Sequence, residues 1–172
     1  MLAAYRRVRA ATEALVRGLE PEDMVAQSMD DCSPTKWHLA HTTWFFETFV
    51  LGPRGVAPHD PRWGELFNSY YVAAGPRHAR PKRGLLSRPS AAQVSEYRRA
   101  VDGRVIALLE GVDDRERAAL TPVVELGLAH EEQHQELLLT DVLNAFAENP
   151  LAPAYRPAAA AARALRRGMA FR

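Results

Sequence analysis

At 172 residues, 47% of them hydrophobic and 25% charged, the chain has the composition of an ordinary globular domain, long enough to bury a real core. Its formal net charge of +1 supplies no bulk field for nucleic acid or an anionic membrane surface, and no apolar run is long enough to span a bilayer. Cys32 is the single cysteine, which excludes an intramolecular disulfide and makes a reducing cytoplasm the expected compartment.

The first predicted helix covers roughly residues 2–20. Leu2, Tyr5, Val8, Thr12, Leu15, Val16 and Leu19 recur at helical spacing, and Pro21 with the acids after it closes the segment. Arg6, Arg7, Arg9 and Arg17 loosely mimic an organelle transit segment, but the apolar stripe argues for a folded helix, and the apolar stretch of a signal peptide is missing. Ser33-Pro34 reads as a cap residue followed by proline at the first helical position. The second helix then runs to about Leu51, where Gly52-Pro53 stops it, and carries Trp37, Trp44, Phe45, Phe46 and Phe49. Trp44 and Phe45 or Phe46 are expected to line the interior.

Residues 52–89 are rich in proline and glycine, too long for a tight turn, with a short helical piece expected around Trp63–Ala73. Ser90 with Gln93 forms a capping box that opens the third helix; Val94, Tyr97, Val101, Val105, Leu108, Leu109 and Val112 make its stripe and Gly111 its end. Thr121-Pro122 repeats the cap-then-proline signal for a fourth helix running to about Ala147, stopped by Asn149-Pro150. No segment alternates with the two-residue period of a strand. The expected fold is therefore all-α, a four-helix bundle with a long crossover connection between the second and third helices. Residues 1–150 are read as the bundle and 151–172 as an Ala/Arg-rich tail.

Four of the six histidines fall in two short words, Trp37-His38-Leu39-Ala40-His41 and His130-Glu131-Glu132-Gln133-His134. His130 and His134 are four apart, so on a helix they point one way, one turn apart. They share a stripe with Leu126, Leu137 and Leu138 that is expected to face the interior. Buried neutral imidazoles each need partners for both ring nitrogens, and one shared metal ion satisfies several at once. A third nitrogen from the other word completes a three-histidine face with open positions. Spacing favours His41 over His38 only slightly; His38 reads either as an outer partner of the site or as cover for the aromatic surface. Gln133 reads either as a polar amide turned to a substrate or as a surface residue. Tyr70 and Tyr71 are candidates to reach the site from the long loop. Neutral ligands leave the ion its full positive charge, which favours an anionic ligand such as a thiolate.

The same word fits the zinc-protease pattern H-E-x-x-H, with Glu131 as general base. That reading fails on context. Gln135-Glu136-Leu137-Leu138 follows His134 where the extended form needs a third histidine, and Glu136, Asp141 and Glu148 lie on the same helix where the other form needs a ligand from a separate one.

Two basic runs carry no acid. Arg77, Arg80, Lys82, Arg83 and Arg88 lie within 75–88, and Arg156, Arg163, Arg166, Arg167 and Arg172 lie within 156–172. Both read as solvated loop and tail. The sharper reading of the first is an anion-binding rim beside the histidines.

Longer words sharpen the reading. Ser33-Pro34-Thr35-Lys36-Trp37-His38-Leu39-Ala40-His41-Thr42-Thr43-Trp44-Phe45-Phe46-Glu47 is joined by Leu66-Phe67-Asn68-Ser69-Tyr70-Tyr71, Gly75-Pro76-Arg77-His78, Arg83-Gly84-Leu85-Leu86-Ser87-Arg88-Pro89 and His130–Glu136. Over roughly residues 1–150 these closely resemble the N-terminal domain of the ergothioneine-biosynthesis sulfoxide synthases, itself part of the wider DinB-like metal-dependent helical family. The resemblance implies a mononuclear non-haem iron(II) protein that uses dioxygen to join a cysteine-type thiol to the imidazole ring of trimethylhistidine. It implies His41, His130 and His134 as the metal ligands, and Gln133 as a residue that seats the histidine-derived substrate. It also implies a second domain of formylglycine-generating-enzyme type, carrying much of the pocket and the acid-base residue, so catalysis is expected to require that missing domain or a partner chain. No catalytic residue is assigned within this chain. Two other readings stand beside this one: a stand-alone DinB-like thiol transferase using another divalent metal, and a non-catalytic helical module with core histidines.

Overall fold

The computed structural model describes residues 1–69, 71 and 75–156. Its principal helices are α1 (Leu2–Val16), α2 (Thr35–Phe46), the short α3 (Trp63–Phe67), α4 (Ala91–Gly111) and α5 (Asp114–Glu148), and the described residues contain no strand. The four long helices form the expected bundle. The connection between α2 and α4 is the long crossover, and it carries α3 together with a 3₁₀ segment at Arg80–Leu85.

At the centre lies α2. Every residue from Thr35 to Phe46 is buried, as a helix covered on all sides requires. It packs against α4 on one side and α5 on the other, while α1 lies mainly on α5. Trp44, Phe45 and Phe46 are all in the core, as their aromatic run suggested. The helical path continues through Glu47–Leu51 as a π-helical turn and ends in a 3₁₀ turn at Gly52–Arg54, so the stop at Gly52-Pro53 falls where expected. Gly55, at φ 76°, takes the left-handed conformation that closes this end.

Helix starts depart from the sequence reading in two places. Ser33 does not cap α2: Pro34 occupies the N-cap position without a side-chain bond. The Ser33 hydroxyl instead accepts from Arg83 Nη1 at 2.9 Å, and its backbone N–H donates to Asp141 Oδ2 at 2.8 Å. The fourth long helix begins at Asp114, well before Thr121-Pro122. Asp113 and Glu116 form a capping box there, a stronger start than the proline signal. Pro122 lies inside α5 on an exposed face, where water can satisfy the carbonyl that loses its partner, and Thr121 Oγ1 donates back to the Arg117 carbonyl at 2.8 Å. The Ser90–Gln93 capping box and the end of α4 at Gly111 stand as read.

Leu126 and Leu137 are 58% and 42% exposed rather than interior. The buried face of α5 runs through Leu120, Val124, Gly127, Leu128, Glu131, Leu138 and Val142, a stripe offset from that of the histidines. Arg9, one of the four arginines that loosely mimic a transit segment, is only 4% exposed. The tail expected at 151–172 falls mostly on residues 157–172, outside the described residues.

Gly127 brings α5 hard against α2. A Cβ at this position would lie 2.7 Å from Phe46 Cε1 and 2.8 Å from Phe45 Cε1, rings that are themselves locked in the core. Gly127→Ala is expected to destabilise the fold by about 1–3 kcal/mol, as overpacking does, measured as a lower urea midpoint at unchanged m-value.

Candidate metal centre

One turn beyond Gly127, His130 emerges on the side of α5 that faces α2, and His134 follows one turn later. His41 meets them from α2. The three residues offer ligand nitrogens that all lie within 4.8 Å of one another. Their ring centroids are 4.6–4.8 Å apart in every pairing.

The local packing leaves His41 no freedom. Its ring is stacked between Trp37 and Trp44, each inclined by 15°, at centroid distances of 4.5 and 5.8 Å. Its Nδ1 lies 2.5 Å from the Phe67 carbonyl oxygen. A carbonyl only accepts, so Nδ1 carries the proton and Nε2 presents a bare lone pair. That Nε2 is 3.1 Å from His130 Nε2, and His130 Nδ1 is buried without a protein partner.

Neutral His130 has one proton for two nitrogens. Placed on Nε2, it leaves Nδ1 buried and unbonded. Placed on Nδ1, it leaves a buried N–H unsatisfied and sets two lone pairs face to face. Either arrangement costs about 1–3 kcal/mol in the protein alone. A divalent cation held by these residues would use both facing lone pairs as ligands, and neutral imidazole nitrogens are a donor set that such ions accept. The residues present therefore fit a metal ion.

Burial keeps these rings neutral. It pushes His41 far below the usual histidine range, helped by the neighbouring His130. It lowers His130 to about 4 against the opposing pull of Glu131. It lowers His134 strongly, reinforced by His41 and His38. Neutral imidazoles are the form that binds metal.

His38 is buried beside the cluster and does not join the three converging nitrogens. Its Nδ1 is 2.8 Å from His134 Nδ1, and its Nε2 is 3.0 Å from Asp141 Oδ2. Of the two sequence readings of His38, the outer partner is the one this arrangement matches. The histidines line a cavity of about 400 Å³, within the range of small-molecule sites. Its walls include Trp37, Tyr71, Gln133, Arg80, Arg83, Asp31 and Asp141. Gln133, exposed, and Tyr71, half-buried, both line this cavity; Tyr70 lies outside the described residues. Of the first basic run, Arg80 and Arg83 border the cavity, and the Arg83 guanidinium stacks 3.4 Å above the Trp37 ring.

Glu131 points the other way and cannot serve as the base of a zinc protease. It is wholly buried and accepts from Arg9 Nη1 at 2.8 Å, Arg98 Nη2 at 2.5 Å and Thr12 Oγ1 at 2.6 Å. Burial alone would raise its pKa, but Arg9 and Arg98 outweigh burial and hold it at about 2. Sequence reasoning did not find this network, and it weighed Asp141 only as a protease-type ligand, not as the partner of His38. Asp141 had a signal: it lies seven residues after His134, two turns along the same face of α5.

The chain belongs to the DinB superfamily, whose family model matches residues 4–138. No curated protein matches it.

Glu131→Gln is expected to lower stability by about 3–5 kcal/mol, because two buried guanidinium groups lose their counter-charge. In the wild type the contribution of Glu131 is complete above the ordinary glutamate value of 4.5 and is lost as pH falls through about 2. Urea unfolding followed across that interval should show an acid-sensitive component that the glutamine variant lacks.

Proposed function

We propose that this DinB superfamily chain binds one divalent metal ion, iron(II), through His41, His130 and His134. We propose further that it is the metal-binding part of an oxygen-dependent sulfoxide synthase, which joins a cysteine-type thiol to trimethylhistidine. The observation that carries the metal reading is the convergence of three buried or half-buried histidines, with the Nε2 atoms of His41 and His130 facing each other at 3.1 Å and His134 beside them. The words around Trp37–His41, Leu66–Tyr71 and Arg83–Pro89 support the finer assignment.

An iron(II) ion bound there would supply dioxygen activation and a positive centre for a thiolate. The chain's own residues divide the remaining work. Trp37 and Trp44 clamp His41 by stacking, and the Phe67 carbonyl fixes its tautomer, so the ligand is oriented before any ion arrives. Gln133, exposed at the cavity edge, offers an amide donor and acceptor to an imidazole-bearing substrate. Arg80 and Arg83 place positive charge on the wall, suited to substrate carboxylates, while Asp31 and Asp141 keep the lining from being uniformly basic. Tyr71 covers the His130 side, its ring centroid 6.3 Å from that of His130. Completion of the reaction is assigned to a further domain or partner chain.

Protein purified without oxygen and offered iron(II) should carry about one equivalent of metal, and His130→Ala should carry almost none. Dioxygen uptake that needs both thiol and trimethylhistidine would support the synthase reading. Thiol transfer without dioxygen would favour the transferase. A wild type that takes up no iron(II), zinc(II) or manganese(II) would leave only the helical module with core histidines.

A further inference from the structure

We propose that Asp141 and His38 form a hydrogen-bonded relay that fixes the tautomer of His134 and presents its Nε2 lone pair to the metal; the inference rests on the three-histidine reading above. Asp141 and His38 are positioning residues in this account and do not touch the ion.

The relay can be followed atom by atom. Asp141 Oδ2 receives the Ser33 backbone N–H at 2.8 Å, which anchors the carboxylate at the start of α2. The same oxygen lies 3.0 Å from His38 Nε2. An ionised carboxylate only accepts, so His38 Nε2 carries the proton. Neutral His38 then has a bare Nδ1. That Nδ1 is 2.8 Å from His134 Nδ1, which must donate, so His134 is protonated on Nδ1 and bare on Nε2. The reverse assignment puts a His38 lone pair against the carboxylate and a proton on His134 Nε2, where it would block coordination.

The arrangement gives His134 what Phe67 gives His41. In these two ligands, His41 and His134, the second nitrogen is held by an acceptor, which leaves one nitrogen for metal. Here the acceptor is an imidazole polarised by a carboxylate instead of a carbonyl oxygen. An outer partner of this kind orients a ligand histidine and raises its basicity. His38 is 3% exposed, and its ring packs edge-on to Trp37 at 5.8 Å, so the relay is held rigidly.

Zinc(II) and iron(II) affinities of the whole chain, with Asp141→Ala, His38→Phe and Asp141→Asn, test the relay. The first two variants are expected to bind about 10–100-fold more weakly than wild type. Asp141→Asn keeps an oxygen able to receive both N–H groups and should recover most of the loss. Nitrogen-15 NMR of the metal-free wild type should show His134 protonated on Nδ1 and His38 on Nε2, a readout that a merely structural role would not move. Should the two disruptive variants fail to fold, the tautomers and Asp141→Asn still decide. A wild-type His134 protonated on Nε2 overturns the relay, as does wild-type affinity in folded Asp141→Ala and His38→Phe. A wild type that binds neither metal overturns the three-histidine reading and this inference with it.

Discussion

The buried carboxylate of Glu131 is the constraint on which the rest of this structure depends. An ionised group with no exposure survives only where opposite charge and hydrogen bonds replace its water. Arg98 comes from α4, Arg9 and Thr12 come from α1, and all three converge on Glu131 in α5. Arg9 is held in turn by Asp102 of α4 through a bond of 2.6 Å and donates to Thr43 of α2 at 3.0 Å. Tyr5 donates to the same Asp102 oxygen at 2.6 Å. The network thus touches every long helix, and it admits one rotation of α5.

That rotation is what aims the histidines. Glu131 follows His130 in sequence, so its side chain leaves the helix about 100° away from that of His130. Anchoring Glu131 among the arginines turns His130 and His134 towards α2, where His41 waits between its two tryptophans. One face of α5 holds a fully compensated charge; the next holds lone pairs with nothing in the protein to receive them all. The absence of a Cβ at Gly127 lets the two helices approach closely enough for the rings to meet.

The crossover loop completes the enclosure. The Lys36 ammonium donates to the carbonyls of Leu86 and Pro89, at 2.9 Å for the latter, and so ties the end of the loop to α2. Arg83 lies on Trp37 and donates to Ser33 and Ser69. Gln27 reaches the Arg80 carbonyl at 2.9 Å. A segment that sequence marks only as rich in proline, glycine and arginine is therefore the wall of the cavity. Its basic character serves at once to pin the loop and to charge the lining.

Much of this was legible in the chain itself because it depends on local periodicity. Helices α1 and α4 follow from apolar spacing, α2 and α5 from the signals that start and stop them, the start of α4 from the Ser90–Gln93 box, and the pairing of His130 with His134 from the turn of an α-helix. The two histidine words advertised a cluster. Other features were beyond such reasoning because they depend on partners distant in sequence. Helical spacing puts Arg9 on the buried face of α1 with Tyr5, Thr12 and Val16, but only Asp102 and Glu131, distant in sequence, supply the charges that let a guanidinium stay there. Leu126 and Leu137 share a helical stripe with the histidines, yet Leu137 lines the cavity and Leu126 is exposed, so apolar periodicity alone misplaced them. The choice between His38 and His41 was likewise tertiary: their spacing is nearly neutral, and the Phe67 carbonyl and the Asp141 carboxylate, each reaching one ring, give the two imidazoles different tasks. Sequence determined which helices form and which residue types they offer, since both rest on short-range geometry; tertiary structure decided which nitrogens are bare and where they point, since that depends on acceptors contributed by other segments.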